Sequence, residues 1–406
     1  MTPHTNSKRK AVEIFDRLTT TPWTAFPVFI LLVYVLFWCT FSLGRYPMEW
    51  IQALVDGAVA LGMHILPDGW VRSLLLDGVV AGVGGVLVFL PNIVILYLLI
   101  SVMESTGYMA RVAAMLDFLM HGMGLHGRSF IPMIMGFGCN VPAIMATSGI
   151  KDRKSRLITA LIIPFMSCSG RLPVYLLLVG AFFPENGPLV LLGVYALGVL
   201  LAIGAAKLLS WMLPGTSTHD HVEILPYRMP DWRYVLRNTW DQAKEYMKKL
   251  AGPILIFSVA LWTLGYFPRA QEGSTPYQQK EQSFVGMLGK AMDPVMEPVG
   301  MNWKDAVSIV AGVGAKELIV STLGVMYSGG DDASLQDSLA GSHTPAGALA
   351  FIVFVLLYFP CVGTFVALRH ATGGWKWPAV SAVLNILLAW CMAWLVFHLF
   401  SMPLLF

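Results

Sequence analysis

Long stretches without charge are the feature that most restricts how this chain folds. The segments Pro22–Leu43, Gly187–Ala206 and Trp377–Phe397 contain no Asp, Glu, Lys or Arg. Each reaches the roughly 20 residues that a helix needs to cross a bilayer. The chain is 56% hydrophobic and only 13% charged, whereas soluble domains carry about 25% charged residues. We therefore expect an all-α polytopic membrane protein that is embedded in a lipid bilayer.

The apolar segments predict seven crossings along the chain. They lie near Pro22–Leu43, Pro91–Gly107, Leu157–Phe183, Pro188–Leu213, Ala251–Phe267, Pro345–Leu368 and Trp377–Phe400. The region Trp50–Leu90 contains two more apolar stretches, which either cross twice or fold as interfacial and re-entrant pieces.

Basic residues predict how the chain is oriented. They cluster at the N-terminus, at Lys151–Arg156 and from Arg228 to Lys249, while the short turn at Glu185–Asn186 has none. Cytoplasmic loops are enriched in Lys and Arg, so the three clusters are expected inside and the turn outside. The segment Arg233–Lys249 has helical apolar spacing and a basic opposite face, so we expect it either to lie along the cytoplasmic leaflet or to be a loop helix docked on protein. A net charge of +3 is too small to indicate nucleic-acid binding.

One pattern recurs at a fixed offset of 176 positions, which indicates an internal duplication. The first copy consists of Asp117, Met120, Gly124, Arg128, Gly136 and Gly138, and the second of Asp293, Met296, Gly300, Lys304, Gly312 and Gly314. A further echo follows each copy, as Cys168-Ser-Gly170 and Cys361-Val-Gly363, inside an apolar span with a proline nearby.

Each copy contains an apolar segment that is split by glycines. In Ser129–Gly149 the split at Gly136–Pro142 leaves limbs of about ten residues, roughly half the hydrocarbon core. A re-entrant hairpin fits these lengths, and the second hairpin at Asp305–Tyr327 then starts from the opposite face. We therefore expect inverted repeats with broken transmembrane helices and a site between them near the midplane.

Side chains at the four breaks are the candidate ligands. Irregular backbone at membrane depth is tolerated only where it is buried in protein or lines a cavity. Cys139 and Asn140 stand at the first tip, Lys316 and Glu317 at the second, and Ser167-Cys168-Ser169 and Cys361 at the broken spans. Thiol, thioether and hydroxyl groups suit a borderline first-row cation better than magnesium or calcium.

Each candidate also has a simpler interpretation. A single cysteine in an apolar span is most simply a small buried hydrophobe, and Cys39 and Cys391 are interpreted in this way. Three cysteines at four breaks favour an ion pathway instead. Met135 and Met145 flank the first tip and can contribute thioethers, although each by itself is more simply explained as a core residue. Glu317 is an intramembrane carboxylate and hence a functional candidate, unless Lys316 only neutralises it.

The residues around the breaks resemble the motifs of the ferrous iron transporter B family. The resemblance is carried by Gly136–Thr147, Met166–Tyr175, Gly312–Gly324, Leu357–Gly363 and Gly374–Trp377, together with Ile224–Arg228 as its central loop. It covers the chain from about Phe15 onward and implies Fe(II) uptake across the bacterial inner membrane, with Fe(II) as substrate and no covalently bound cofactor. It also implies that Cys139, Cys168 and Cys361 match positions proposed to handle the ion.

The resemblance gives the chain a domain order of gate-type repeats. We expect a cytoplasmic segment (1–21), an N-terminal membrane region (22–90), a first gate repeat (91–186), a connecting span with a basic cytoplasmic segment (187–250), a second gate repeat (251–372) and a C-terminal transmembrane helix (373–406). Gate-type hairpins and broken helices are similar to those of concentrative nucleoside carriers as well.

The sequence departs from the family in one large respect. The family's usual chain begins with a GTP-binding domain, but Gly289-Lys290 is the single Gly-Lys dipeptide here and has no phosphate-binding loop around it. We expect such a domain to act in cis or in trans, with a small cytoplasmic accessory protein as a possible further partner. A smaller departure is Gly170, where the family more often has alanine.

The residues at the breaks bear differently on three candidate functions. Clustered thiols favour Fe(II) transport over a carrier for an organic solute such as a nucleoside, which would need more carboxylates and amides around a pocket. An intramembrane enzyme finds no support, because no His–Glu metal motif or Ser–Lys pair stands at one depth.

Overall fold

The computed structural model of the chain describes residues 22–67, 69–213, 227–269, 275–328 and 332–401, and all regular structure within these ranges is helical. Its α-helices are α1 Pro22–Ile65, α2 Trp70–Ser105 (with a π-helical stretch at Leu74–Val80), α3 Tyr108–Met115, α4 Asp117–His121, α5 Phe130–Gly138, α6 Asn140–Ala146, α7 Arg153–Ile162, α8 Leu172–Phe182, α9 Gly187–Met212, α10 Trp232–Tyr266, α11 Pro276–Gln282, α12 Phe284–Met296, α13 Trp303–Ala311, α14 Leu318–Leu323, α15 Asp332–Ser342, α16 Pro345–Leu357, α17 Val362–Thr372 and α18 Lys376–Ser401. The predicted segment 1–21 and the start of the central loop, Ile224–Pro226, lie outside the described residues.

Within the described residues, seven helical segments are long and apolar enough to cross a membrane, as the sequence predicts. They are α1, α2, α7–α8, α9, α10, α16–α17 and α18. Large apolar side chains on α1, α9 and α18 remain exposed, among them Leu31, Leu189 and Leu387. Such surfaces are expected on helices that face lipid. The boundaries of the six predicted regions stay a prediction.

The two apolar stretches of the region Trp50–Leu90 belong to two long helices, which end at Ile65 and begin at Trp70. Its first half continues α1, which has 44 residues and is therefore about 66 Å long. Its second half begins α2, which packs antiparallel to α1, with Gly44 against Asn92 and Gly62 against Leu76. The region is thus the closed end of a long helical hairpin, because two extended apolar helices can bury glycine faces against each other.

The basic segment Arg233–Lys249 is helical, as its apolar spacing predicts, and its position relative to the cytoplasmic leaflet stays a prediction. It is continuous with the following apolar span in the 35-residue helix α10. The segment buries Val235, Ala243 and Tyr246 against protein. Side-chain hydrogen bonds then tie α10 to α2, since Asn238 Nδ2 donates to Ser101 Oγ at 2.8 Å and Ser258 Oγ to the Gly78 carbonyl at 2.9 Å.

The most enclosed part of the molecule is α16, where every residue from Ala350 to Leu357 is buried. It packs on α18, α8 and α9. Its burial on all sides explains its continuous apolar sequence. The helix is therefore enclosed between the first broken span, α9 and α18.

A buried polar cluster fixes the base of the second hairpin. Asn302 begins α13 with a reciprocal cap, its side chain accepting from Lys304 N and Asp305 N while Asp305 Oδ2 accepts from Asn302 N. The phenol of Tyr327 lies 3.0 Å from Asp305 Oδ1, and His343 Nε2 lies 2.8 Å from Asp305 Oδ2. The cluster thereby joins both ends of the hairpin to the loop that precedes α16.

Candidate functional site

The first hairpin breaks where its glycines predict. Helix α5 ends at Gly138, Cys139 is extended with φ −152°, and α6 begins at Asn140. Cys139 is half-buried, whereas Asn140 is only 4% exposed. Met145 Sδ accepts a hydrogen bond from the Tyr97 hydroxyl at 3.8 Å. The tip therefore presents a thiol and an amide beside a thioether that is already bonded.

The second hairpin has a longer break. Helix α13 ends at Ala311, and the chain from Gly312 to Glu317 is irregular before α14 begins at Leu318. Lys316 in this break is 4% exposed. Its Nζ donates to the Phe359 carbonyl at 2.7 Å and does not form an ion pair with the neighbouring Glu317 in the described part of the chain. Lys316 is thus hydrogen-bonded to the second broken span, and its charge also interacts with that of Glu317.

Two transmembrane segments are broken at the predicted cysteines. In the first, α7 ends before a short 3-10 turn, and Met166–Cys168 is extended before α8. In the second, α16 ends at Leu357 and α17 begins directly after Cys361. Pro164 and Pro173 flank the first break and Pro360 lies in the second, so the missing backbone donors explain both interruptions.

Arginine 171 holds the first break in shape. Its guanidinium is 1% exposed and donates to the carbonyls of Pro164 and Met166, at 3.1–3.2 and 3.0 Å. The Ser167 hydroxyl lies 3.1 Å from the Tyr175 hydroxyl. The two terminal nitrogens of the buried guanidinium are thus bonded to carbonyls at the break, which have no intrahelical donors, while Nε has no partner among the described residues.

Within each repeat, the hairpin tip is bonded to the broken span that follows it. Ser169 Oγ donates to the Gly138 carbonyl at 2.8 Å in the first repeat. Val362 N donates to the Val313 carbonyl at 3.0 Å in the second. The two repeats thus bring tip and break together in the same way.

The tips also cross over to the opposite repeat. A Cβ atom on Gly170 would lie 2.6 Å from Glu317 Oε1, and one on Gly363 would lie 3.1 Å from Val141 Cγ2. Val141 and Glu317 are 176 positions apart, and Gly170 and Gly363 are each two residues after a break cysteine. This reciprocal exchange is what a pseudo-two-fold axis between repeats produces.

The three break cysteines lie in one region without forming a preassembled metal site. Charge on Cys139 interacts with charge on Cys168, Cys361 and Glu317, and the Cys361 thiol is within 3.1 Å of Thr364 Oγ1. Among the described residues, however, no three His, Cys, Asp or Glu side chains are placed to hold one ion together. The three thiols therefore lie near one another without a shared ligand geometry.

The remaining sequence candidates surround this region. Met135 is buried and packs in the same apolar cluster as Val141 and Ile144, with Met145 at its edge. Ser167 and Ser169 both use their hydroxyls in the bonds described above. None of the metal-ligand assignments is tested by these contacts, so all of them stay predictions.

Two tyrosines lie near Cys139 that the sequence does not single out. Tyr97 on α2 and Tyr246 on α10 are both buried, and charge on Cys139 interacts with each phenol. Neither lies in a motif or at a helix break. Only the packing of α2 and α10 against the first tip brings them there, so no local signal identified them.

Two family models match the chain. The Gate model, described as "Nucleoside recognition", matches residues 86–182 and 247–375. The model described as "Ferrous iron transport protein B C terminus" matches residues 191–242. No solved structure matches the chain.

Curated relatives cover nearly the whole chain. A Porphyromonas gingivalis protein named "Fe(2+) transport protein A/Fe(2+) transporter FeoB fusion protein" is 44% identical over 95% of this chain and 51% of its own length. The Campylobacter jejuni "Fe(2+) transporter FeoB" is 39% identical over 98% of this chain and 66% of its own. A Staphylococcus aureus relative of the same name is 39% identical over 95% and 59%. The chain therefore spans about half to two thirds of these relatives.

The apolar helices and these similarities together establish a multi-pass protein of the bacterial inner membrane.

Proposed function

We propose that this chain, which belongs to the ferrous iron transporter B family and corresponds to its membrane region, provides the path by which Fe(II) crosses the bilayer. The observation that carries the proposal is the meeting of four helix breaks between the repeats, three of which present a cysteine. The names of the relatives support Fe(II) as the substrate.

Fe(II) entering a dry region must exchange water for protein ligands. Thiolates and thioethers suit this borderline ion, and exposed carbonyls at helix breaks add oxygen ligands. In this proposal Cys139, Cys168 and Cys361 bind the ion in succession. Conduction requires binding that is favourable enough to enter and weak enough to leave, which fits ligands offered in partial sets.

Oxygen and thioether groups complete the proposed path. Asn140 and Glu317 supply an amide and a carboxylate oxygen at the two tips, and Ser167 and Ser169 line the first break. Met135 and Met145 supply sulfur on the side of the first hairpin. Because these groups supply the remaining ligands, Fe(II) can be bound by one thiol at a time.

Gating is proposed to come from a GTP-binding domain, in cis or in trans. The Porphyromonas gingivalis relative is named as a fusion of a transport protein A with the transporter. That fusion supports a small accessory protein as a further partner.

A carrier for an organic solute is the second candidate, favoured by the description "Nucleoside recognition" of the Gate model. The two functions differ in what the breaks must present. A nucleoside needs hydrogen-bonding groups around a pocket, whereas the breaks here present three thiols.

Uptake of radiolabelled Fe(II) into proteoliposomes containing the purified chain tests the proposal. Excess Mn(II), Zn(II) and a nucleoside are added separately as competitors. Saturable Fe(II) uptake that a nucleoside does not inhibit is expected. Uptake of labelled nucleoside in place of Fe(II) would establish the second candidate. If the chain needs its GTP-binding partner, the assay is repeated with that domain added.

A further inference from the structure

Asn385 is a buried amide in the middle of the largely apolar helix α18. It stands between Leu384 and Ile386 and is only 2% exposed. Its Nδ2 has no hydrogen-bond partner among the described residues. A buried donor that is left unpaired costs the protein the free energy of its desolvation. Such a group therefore needs an explanation beyond helix packing.

The amide lies on the face of α18 that packs against the second broken span. Helix α18 packs mainly on α16 and also on α17. Its buried residues follow one another at helical spacing and form a single stripe, which consists of Pro378, Ser381, Ala382, Asn385, Ala389, Ala393 and Val396. Small residues in such a stripe let two helices approach closely. Asn385 is thus held against the broken span.

The height of Asn385 along that span follows first from the start of α16. A Cβ atom on Gly300 would lie 2.3 Å from Phe397 Cε2 and 3.1 Å from Gly347 Cα, so Phe397 and Gly347 lie at one level. From this level α16 runs about 15 Å to its end at Leu357, and α18 runs back about 18 Å to Asn385. The amide therefore lies just beyond the end of α16.

The other end of α18 gives a second estimate of this height. Helix α17 ends at Thr372 and α18 begins at Lys376, after a turn of three residues. Counted back from this turn, Cys361 is about 17 Å away along α17 and Asn385 about 14 Å away along α18. Both estimates agree and place Asn385 beside residues 359–363, where the second span is broken.

The break offers acceptors that suit this donor. Carbonyls in the last turn of a helix have no intrahelical donor, and α16 ends here. Side chains bond carbonyls of this kind in both breaks, since Arg171 donates to the Met166 carbonyl at 3.0 Å and Lys316 Nζ to the Phe359 carbonyl at 2.7 Å. Asn385 stands beside similar acceptors without donating to one in this arrangement of the chain.

We propose that Asn385 is a positioning residue of the second break, whose amide donates to the carbonyls at the end of α16 in a second arrangement of that break, which forms while Fe(II) passes. The inference rests on the proposed function, because it concerns how the path between the repeats changes during transport. An unpaired donor raises the free energy of the first arrangement, and its new hydrogen bond lowers that of the second. The two arrangements are thereby kept close enough in free energy to interconvert.

Replacing Asn385 by leucine tests this assignment, because leucine has a similar branched shape and no donor. Thermal unfolding of the purified chain in detergent and Fe(II) uptake by proteoliposomes are measured together. Asn385→Leu should unfold at a higher temperature, since it removes an unpaired buried donor. Its maximal uptake should fall about five- to tenfold, the factor that corresponds to one hydrogen bond lost from the second arrangement. The Fe(II) concentration for half-maximal uptake should not change, because Asn385 does not touch the ion.

Two further variants make the result specific. Asn92→Leu is the matched control, since Asn92 is also an amide with an unpaired buried atom among the described residues, but it packs against Gly44 between α1 and α2. Its maximal uptake should equal that of the unmodified chain. Asn385→Gln keeps an amide at the break and should retain more uptake than Asn385→Leu.

A lower unfolding temperature of Asn385→Leu, or its failure to fold, would show that the amide is already bonded in the resting chain and would overturn the inference. Unchanged maximal uptake by a folded Asn385→Leu would do the same. Both results leave the proposed function standing, because the unmodified chain still takes up Fe(II). If the unmodified chain takes up no Fe(II) even with its GTP-binding partner added, the proposed function fails, and this inference fails with it.

Discussion

The carboxylate of Glu317, at the tip of the second hairpin, lies against Gly170 in the broken span of the first repeat. A Cβ atom at Gly170 would stand 2.6 Å from Oε1 and 3.2 Å from Cδ of that carboxyl group. Glycine therefore leaves the space that Glu317 fills. The contact connects an acidic group of one repeat to the residue two positions after Cys168 of the other.

Gly170→Ala should move the Glu317 carboxylate out of the first break. Because the displaced atoms end a flexible side chain, the free energy of unfolding should change by less than the ~1–3 kcal/mol typical of overpacking. Fe(II) uptake by proteoliposomes should nevertheless change, in rate or in selectivity over Mn(II). Gly204→Ala is the control, since a Cβ atom there meets nothing within 4 Å. Equal uptake by both variants would mean that Glu317 has no part in the path.

Replacing Cys139 or Cys168 by serine should lower Fe(II) uptake about tenfold or more, the loss typical when the surroundings of a metal site are disturbed. Folding should be retained because serine is close in size to cysteine. Uptake into proteoliposomes and size-exclusion chromatography measure the two effects. Cys39→Ser and Cys391→Ser should be nearly silent. The thiol path is wrong if the Cys139→Ser, Cys168→Ser double variant transports Fe(II) at the unmodified rate.

The two repeats should open to opposite sides of the membrane. A cysteine introduced at exposed Ser148, after the first hairpin, should react with a membrane-impermeant thiol reagent only from the cytoplasm. One introduced at exposed Ser342, after the second hairpin, should react only from outside. Labelling of intact cells and of inverted vesicles distinguishes the sides. Reaction of both positions from one face would contradict the inverted arrangement.

The pair formed by His343 and Asp305 should make stability depend on pH. Burial opposes the charged imidazole, yet the hydrogen bond and charge of Asp305 outweigh it, so the pKa of His343 is raised. Tyr327 also faces Asp305, while the ammonium of Lys304 lies over the Tyr327 and Tyr277 rings. A raised pKa contributes stability that is fully present below the ordinary histidine value and is lost as pH rises through the folded-state value.

Thermal unfolding of the detergent-solubilised chain, measured from acidic to alkaline pH, tests how its stability depends on pH. His343→Gln should lower the free energy of unfolding by about 3 kcal/mol or more at acidic pH, because it leaves Asp305 buried without its partner. The difference from the unmodified chain should shrink at alkaline pH. A difference that stays constant across the range would show that His343 is not charged in the folded state.

The chain by itself is expected neither to bind nor to hydrolyse GTP. Its one Gly-Lys dipeptide, Gly289-Lys290, lacks the glycine-rich loop that cradles phosphates, and Gly289 lies inside helix α12. Saturable GTP turnover by the purified chain would refute this prediction. Restoration of transport by an added GTP-binding domain would support gating in trans.

The sequence by itself determined the features that depend on local composition. Uncharged segments determined the seven spans, and glycines and prolines determined the breaks at Cys139, Cys168 and Cys361. Both signals are local, because the length of an apolar run and the backbone limits of Gly and Pro do not depend on distant residues. The fixed offset between the repeats likewise needed only the order of residues.

The tertiary structure alone decided which distant groups meet. Helices α1 and α10 both pack against α2, an arrangement that the apolar segments alone did not predict. Tyr97 and Tyr246 reach Cys139, and Glu317 reaches Gly170, only because helices far apart in sequence pack together. Asp305 and His343 pair for the same reason. Such contacts depend on how the two repeats are folded against each other, which no local pattern records.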